Sequence, residues 1–404
     1  VKSFFCSLTF LLISFSIYAQ ENSPFTTGFE EEISSKILGE KRKIWIHIPT
    51  SNGGNKVKGR GKYPVVYLLD GGDNFNTLVS ITEHMSESGL CPPMIVVGIL
   101  HEDRLSELTF GTDKELPGVV GKGDKLMSFV GKELIPYIDA TYPATTYKTF
   151  IGHSLGGLTV INTFLHNPGL FNSYASLDGS LWWDDQKMVK EAKTILPTQN
   201  YKEKVLYMAM ANRLERGMDT VSVVKDTTGS TELIRSNLEF IAELSKNKKN
   251  QLRFRSKFYG NDNHPSVRLV GAYDALRFIF DFYRLKIYDS ELKNPDFKLD
   301  SLLTAHYKNV SEQMGYVTNP DESQVNSLGY QMLRTDQYKK AETLFKLNVT
   351  NNPGSANGYD SLGDLYLKTG DKAKAIESFK KALSLKEIPE SREKLQKLLA
   401  EKKM

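Results

Sequence analysis

Thr149-Phe150-Ile151-Gly152-His153-Ser154-Leu155-Gly156-Gly157-Leu158 decides the reading of this chain. It contains Gly-x-Ser-x-Gly, with an apolar strand-like run before it and a helix-like run after it. Such a strand-to-helix turn is so tight that the positions flanking the serine must carry almost no side chain. Gly152 and Gly156 meet that demand, and Gly157 adds room for the helix to approach the sheet. The turn lifts the Ser154 hydroxyl above the sheet. It also aims the Leu155 N–H, at a helix N-terminus, toward the place where an oxyanion would form.

Outward from this turn the pattern repeats. Apolar runs fall at Tyr63 to Asp70, Met94 to Ile99, Tyr174 to Leu177, Val205 to Met210 and Leu252 to Tyr259, and Lys43 to Ile48 alternates like a half-buried strand. Helix-period segments lie between them, at 125–142, 155–165, 185–195 and 231–244, and 271–285 closes the series. Continuous apolar strands alternating with amphipathic helices predict an α/β fold with a mostly parallel sheet covered on both faces. Residues 51–62 are rich in Gly, Lys and Asn and read as a surface loop.

The last 80 or so residues differ in character. Leu328, Gly329, Leu333, Ala341 and Phe345 recur as Leu362, Gly363, Leu367, Ala375 and Phe379, each 34 positions later. That period resembles the tetratricopeptide repeat, a helix–turn–helix unit. Two repeats and a short capping helix from Ser391 give a small all-α unit. The expected organisation is a signal peptide over 1–19, a catalytic domain over 20–290, a linker over 291–320 and the repeats over 321–404.

The 404 residues exceed one ordinary domain, and 40% hydrophobic with 25% charged residues suits a globular protein. A net charge of +4 gives no reason to invoke nucleic acid or an anionic membrane. Lys2, the apolar stretch Phe4 to Tyr18 and the small Ala19 read as a cleaved export signal, which places the mature protein outside the cell or in the periplasm. After cleavage Cys91 is the only cysteine, so neither a disulfide nor a cysteine metal site is available.

A serine hydroxyl needs a neighbouring base to attack at neutral pH. Behind such an elbow the chain order is Ser, acid, His, with the histidine in a loop after the last strand. Of seven histidines only His264 follows a late strand and heads a helix, so it is the base. The acid is expected just past the strand that ends near Met210 and Ala211. Glu215 comes soonest, Asp226 is next, and Asp219 and Glu232 share the segment. The second oxyanion donor should come from the loop after the Tyr63 to Asp70 run, where Gly71 and Gly72 allow close approach; Gly72 N–H is assigned. Trp182 and Trp183 follow a parallel strand at the sheet end where ligands bind, and their faces suit sugar or catechol rings.

Several segments together resemble the putative-esterase family of α/β-hydrolases: Val66-Tyr67-Leu68-Leu69-Asp70-Gly71, Glu133 to Ile138, Ile151 to Leu158, Ser180-Leu181-Trp182-Trp183 and Asp262 to Val267. The resemblance covers about 25–287. The family includes esterases of catecholate-siderophore trilactones, S-formylglutathione hydrolases, feruloyl and acetyl-xylan esterases, and mycolyl transferases. Val97-Gly98-Ile99 followed by Arg104 is similar to the siderophore branch, which implies that Arg104 helps hold an anionic or oxygen-rich ligand. Two features depart from that branch. Pro265 stands where it has a glycine, and Ala211-Asn212-Arg213 replaces its Gly-rich strand end. Some members work with a Ser–His pair alone.

These readings combine into a secreted serine esterase that forms an acyl-enzyme and needs no metal or organic cofactor. Its substrate would be a siderophore lactone, or an acyl or feruloyl ester of a polysaccharide. Acyl transfer to an alcohol would use the same residues. The competing reading is a retired hydrolase scaffold whose repeats bind a protein partner or self-associate.

Overall fold

The computed structural model describes residues 27–49, 62–112 and 118–401. The predicted export signal and most of the predicted 51–62 loop lie outside the described residues. One eight-stranded sheet organises the first 280 or so residues, in the order β1-β2-β4-β3-β5-β6-β7-β8. The strands are β1 Phe29–Ser35, β2 Glu40–His47, β3 Tyr63–Leu68, β4 Ile95–Ile99, β5 Ala144–His153, β6 Ser173–Leu177, β7 Val205–Ala211 and β8 Arg253–Tyr259. Strand β1 pairs antiparallel with β2, and β2 with β4; every other pairing is parallel. The polar strand β1, Phe-Glu-Glu-Glu-Ile-Ser-Ser, escaped the sequence reading because only Ile33 and Ser35 are buried at this sheet edge. The central strands β4, β6 and β7 are buried at every position, as continuous apolar runs demand.

Helices cover both faces. They are α1 Gly71–Glu87, α2 Arg104–Glu107, α3 Gly123–Phe129, α4 Ile135–Thr141, α5 Leu155–His166, α6 Trp183–Ile195, α7 Glu232–Lys246 and α8 Val267–Ile279. Helix α1 was missed: its two leading glycines read as a loop, although Phe75, Leu78, Val79 and Met85 form a buried stripe. The predicted 125–142 helix is present, with a π-helical stretch Val130–Leu134 joining α3 to α4. Pro136 follows, and the wider turn accommodates a residue that has no N–H to donate. In α6, Asp184, Asp185 and Gln186 have φ of 50°, 53° and 58°, so its regular right-handed part begins after Gln186.

The predicted linker holds α9 Asp289–Lys293 and α10 Leu299–Met314. Helix α10 belongs to two cores at once. Val310 and Met314 join the hydrophobic cluster of the sheet domain that includes Cys91, Tyr147 and Phe280. Leu299, Leu303 and Tyr307 join the cluster of the helical domain. His306 Nε2 adds a bond to the Tyr283 carbonyl, 3.1 Å. Residues Gly315 to Asn319 border the starts of β3 and β5, so the attachment lies at the sheet end opposite Ser154.

The repeats are α11 Glu322–Arg334 with α12 Tyr338–Asn351, and α13 Ala356–Lys368 with α14 Lys372–Leu385, closed by α15 Pro389–Glu401. The 34-residue period has a packing cause. A Cβ on Gly329 would lie 2.4 Å from the Phe345 ring, and one on Gly363 would lie 2.5 Å from Phe379. Each glycine lets a phenylalanine of the next helix rest on its backbone. Asp321, Ser355 and Asp371 cap α11, α13 and α14 by accepting from the amides of Gln324, Gly358 and Lys374.

Candidate active site

The ends of β5, β6 and β8 converge on one edge of the sheet. His153 pairs with Leu177 across β5 and β6, and Leu177 pairs with Ala209 across β6 and β7. Ser154 follows β5 directly with φ 58° and ψ −118°, a strained conformation for a residue with a side chain. The surroundings fix it. Ser154 N–H donates to the Leu177 carbonyl at 3.0 Å, and the Ser154 carbonyl accepts from Ser180 N–H at 2.9 Å and Leu158 N–H at 3.0 Å. The glycines are sterically required: a Cβ on Gly152 would sit 2.3 Å from the Gly156 carbonyl, and one on Gly157 2.7 Å from Gly179 Cα.

His264 lies in the loop between β8 and α8. Its Nδ1 is 2.6 Å from Asp178 Oδ2. Asp178 is fully buried just after β6, has φ 46°, and accepts from Ala211 N–H with its other oxygen at 3.0 Å. A carboxylate in that place holds the proton on Nδ1 and leaves Nε2 free to act as a base. His153 also supports His264. Its Nε2 is 2.8 Å from the His264 carbonyl, and the two rings are 4.4 Å apart. Burial and the neighbouring His264 hold the His153 imidazole down to about 4. It is therefore neutral, and its Nε2–H donates to that carbonyl.

The carboxylate against His264 is thus Asp178 and not Glu215. Glu215 is an exposed loop residue. Asp219 accepts from the amides of Val221 and Ser222, Asp226 from Thr228 and Thr231, and Glu232 begins α7. The carboxylate that meets His264 follows β6, one strand before the expected position after β7. The available signal was Leu177-Asp178-Gly179, an Asp-Gly directly after the strand beside the nucleophile strand.

Ser180, also unanticipated, puts its Oγ 3.2 Å from Ser154 Oγ and is almost fully buried. Asn237 braces this segment from α7, donating from Nδ2 to the Gly179 carbonyl at 2.7 Å. Leu155 is the first residue of α5 and Gly72 lies in the first turn of α1, where amides lack intrahelical partners. The two helix starts are neighbours, since a Cβ on Gly156 would lie 3.3 Å from Leu69 Cβ and 3.4 Å from Asp70 Oδ2.

Arg104 is beside the elbow but engaged. It donates from Nε and Nη2 to Asp70 at 2.6 and 2.8 Å, and Nη2 also lies 3.5 Å from the His153 carbonyl. Trp183 is a core residue, 2% exposed, with its indole N–H donating to the Phe110 carbonyl at 3.0 Å. This corrects its assignment to substrate, because no face is left for a ring to stack on. Trp182 is half-buried, 5.9 Å from Trp183 between ring centroids. Among the described residues no group of His, Cys, Asp and Glu is arranged to hold a metal ion, and no helix is long and apolar enough to cross a membrane.

Comparison with known proteins bears on the family and the fold. The family model described as "Putative esterase" matches residues 35–282, and a tetratricopeptide-repeat model matches 356–389. The ferri-bacillibactin esterase BesA of Bacillus subtilis is 27% identical over 239 residues, 54% of this chain and 78% of that one. A siderophore triacetylfusarinine C esterase of Aspergillus fumigatus is 23% identical over 36% of this chain and 53% of its own. An IroE-like serine hydrolase from Shewanella oneidensis superposes with a TM-score of 0.66 at 27% identity, covering 80% of this chain and 98% of the other. A protein from Capnocytophaga ochracea shares the fold over 92% of this chain and 99% of its own, with 21% identity and a TM-score of 0.62. The chain belongs to the putative-esterase family of α/β-hydrolases: it is an esterase that carries tetratricopeptide repeats behind its catalytic sheet.

Proposed function

We propose that this esterase is a serine hydrolase working through Ser154, His264 and Asp178, and that its substrate is a siderophore lactone. The observation that carries the mechanism is the 2.6 Å contact between His264 and the fully buried Asp178, set one strand from the strained Ser154. His264 Nε2 takes the Ser154 proton as Oγ attacks the ester carbonyl. The developing oxyanion meets the Leu155 and Gly72 amides at two adjoining helix N-termini, where both helix dipoles favour negative charge. The His264 imidazolium, held by Asp178, returns the proton to the leaving alcohol. Water deprotonated by His264 then releases the acid from Ser154.

The substrate class is supported by two similar proteins named as siderophore esterases, BesA and the triacetylfusarinine C esterase. Trp182 at the strand ends offers an aromatic face for a catechol ring. Export before action fits the sequence of the first 19 residues. The test is turnover of a panel by the wild type and by Ser154→Ala: p-nitrophenyl butyrate, methyl ferulate, acetylated xylan and a catecholate trilactone. Preference for the trilactone, lost in Ser154→Ala, is the expected result. Preference for ferulate or xylan would reassign the substrate, and equal turnover by Ser154→Ala would remove the nucleophile.

A further inference from the structure

The mechanism above leaves a buried charged chain unused, and it ends on the oxyanion loop. Arg42 on β2 donates from Nη1 and Nη2 to Glu107 at 2.6 and 2.8 Å. Glu107 Oε2 is 2.9 Å from His101 Nδ1. His101 Nε2 accepts from Asp70 N–H at 3.3 Å, while Arg104 clamps the Asp70 carboxylate. The side chains of Arg42, Glu107, His101 and Asp70 are 1, 10, 4 and 6% exposed. Such burial is a weak source of stability, since apolar residues of similar volume commonly serve as well.

The chain closes on itself. The short helix α2 begins with Arg104 and ends with Glu107. It therefore holds Asp70 from two sides, by its carboxylate through Arg104 and by its N–H through His101. Asp70 has φ 55° and ψ 47°, which a side-chain-bearing residue keeps only under constraint. Its carbonyl accepts from the amides of Asp73 and Asn74. With N–H, side chain and carbonyl all fixed, the peptide plane that leads into Gly71 and Gly72 has one orientation.

His101 fits this task in one tautomer only. Burial would raise the Glu107 carboxyl, but hydrogen bonds from His101 and Arg42 outweigh it and bring it down to about 2. Glu107 is therefore a carboxylate, so Nδ1 carries the proton and Nε2 is the acceptor that Asp70 N–H requires. We propose that Arg42, Glu107 and His101 form a positioning relay that sets the orientation of the Asp70–Gly71–Gly72 amides and thereby the second oxyanion donor. On this view Arg104 serves the loop and not the ligand.

This inference rests on the serine-hydrolase reading, and the experiment separates the two. Full-length wild type, His101→Phe, His101→Gln and His101→Asn are titrated with a fluorophosphonate to count active sites. Then kcat and KM for p-nitrophenyl butyrate are measured per titrated site, together with Tm. Phe fills the space without an acceptor; kcat should fall about 10- to 100-fold with KM within about threefold, since loss of a whole oxyanion donor costs about 100- to 1,000-fold. Gln can present Oε1 to Asp70 N–H and should recover most of kcat, while Asn is one methylene too short and should not. A His101→Phe enzyme with wild-type kcat and a lowered Tm would overturn the relay, leaving a structural role. Equal kcat in Gln and Asn would overturn it too, and that pair decides if Phe does not fold. An unlabelled wild type would remove the hydrolase reading and the relay with it.

Discussion

Asp178→Asn is the sharpest test of the catalytic geometry, because the structure dictates how the new amide must turn. Asp178 Oδ1 accepts from Ala211 N–H at 3.0 Å and Oδ2 faces His264 Nδ1 at 2.6 Å, both in a fully buried place. An asparagine has one oxygen and one NH2. The Ala211 N–H accepts no proton, so the oxygen must stay on that side and the NH2 must face His264. The imidazole then accepts at Nδ1 and carries its proton on Nε2, where it can no longer take one from Ser154. A forced wrong tautomer of this kind costs about 10⁴ in kcat in the chymotrypsin-type triad, or about 5 kcal/mol at 1.36 kcal/mol per decade. Asp178→Ala imposes no tautomer and should be the milder variant. Hydrolysis of p-nitrophenyl butyrate, normalised to folded protein by circular dichroism, reads both. Glu215→Gln should stay within about twofold, as expected for a surface change. The assignment is wrong if Asp178→Asn keeps kcat within about tenfold, below the roughly 100-fold low end of what a general acid–base group contributes.

Other outcomes follow from other parts of the molecule. Glu107, held near 2 against its ordinary 4.5, contributes stability that is complete above about pH 4.5 and is lost as pH falls toward 2. The wild-type Tm should therefore drop more steeply across that window than the Tm of Glu107→Gln; parallel curves would contradict the shift. Gly363→Ala drives a methyl into Phe379 and should destabilise the repeats by about 1–3 kcal/mol, the usual cost of overpacking, with kcat unchanged. Hydrogen exchange of α13 and α14 would register it. Met314→Ala empties a place in the sheet domain's own core and should cost about 2–5 kcal/mol, so its Tm should fall although the residue lies beyond the family match. Removal of 321–404 should retain hydrolysis, because α10 keeps its anchors Val310 and Met314 in the sheet-domain core; a folded but inactive truncation would show that the repeats shape the site.

The sequence was most readable where backbone sterics leave few solutions. The 149–158 elbow, the buried runs and the 34-residue spacing each translate directly into a strand, a turn or a helix pair. His264 stood out in the sequence because only one histidine follows a late strand. Asp178 was passed over because periodicity does not rank the strand ends, and the one local signal, an Asp-Gly directly after β6, is short. Trp183 looked like a ligand platform, but its indole N–H is satisfied by a carbonyl from a segment 73 residues earlier, which local sequence does not encode. The Arg42–Glu107–His101–Asp70 chain was invisible for the same reason. Its members come from β2, α2, and the loops after β4 and β3, and only the sheet order brings them together.

The position of the acid has a consequence for how such an enzyme can diversify. In the proposed mechanism the nucleophile and the carboxylate directly follow the adjoining strands β5 and β6, so the segment from Asn212 to Thr231 after β7 carries no proton-handling duty. It is tied to the His264 loop through Asn212, which donates its N–H to the Asp262 carbonyl and its Nδ2 to the Gly260 carbonyl. Beyond that anchor it displays Val221 and Val224 to solvent, 76 and 51% exposed. Lengthening, shortening or recolouring this segment would reshape the surface beside the His264 loop while Asp178 and Ser154 keep their places. Selection for a new ester could therefore act there one mutation at a time, without passing through an inactive ancestor.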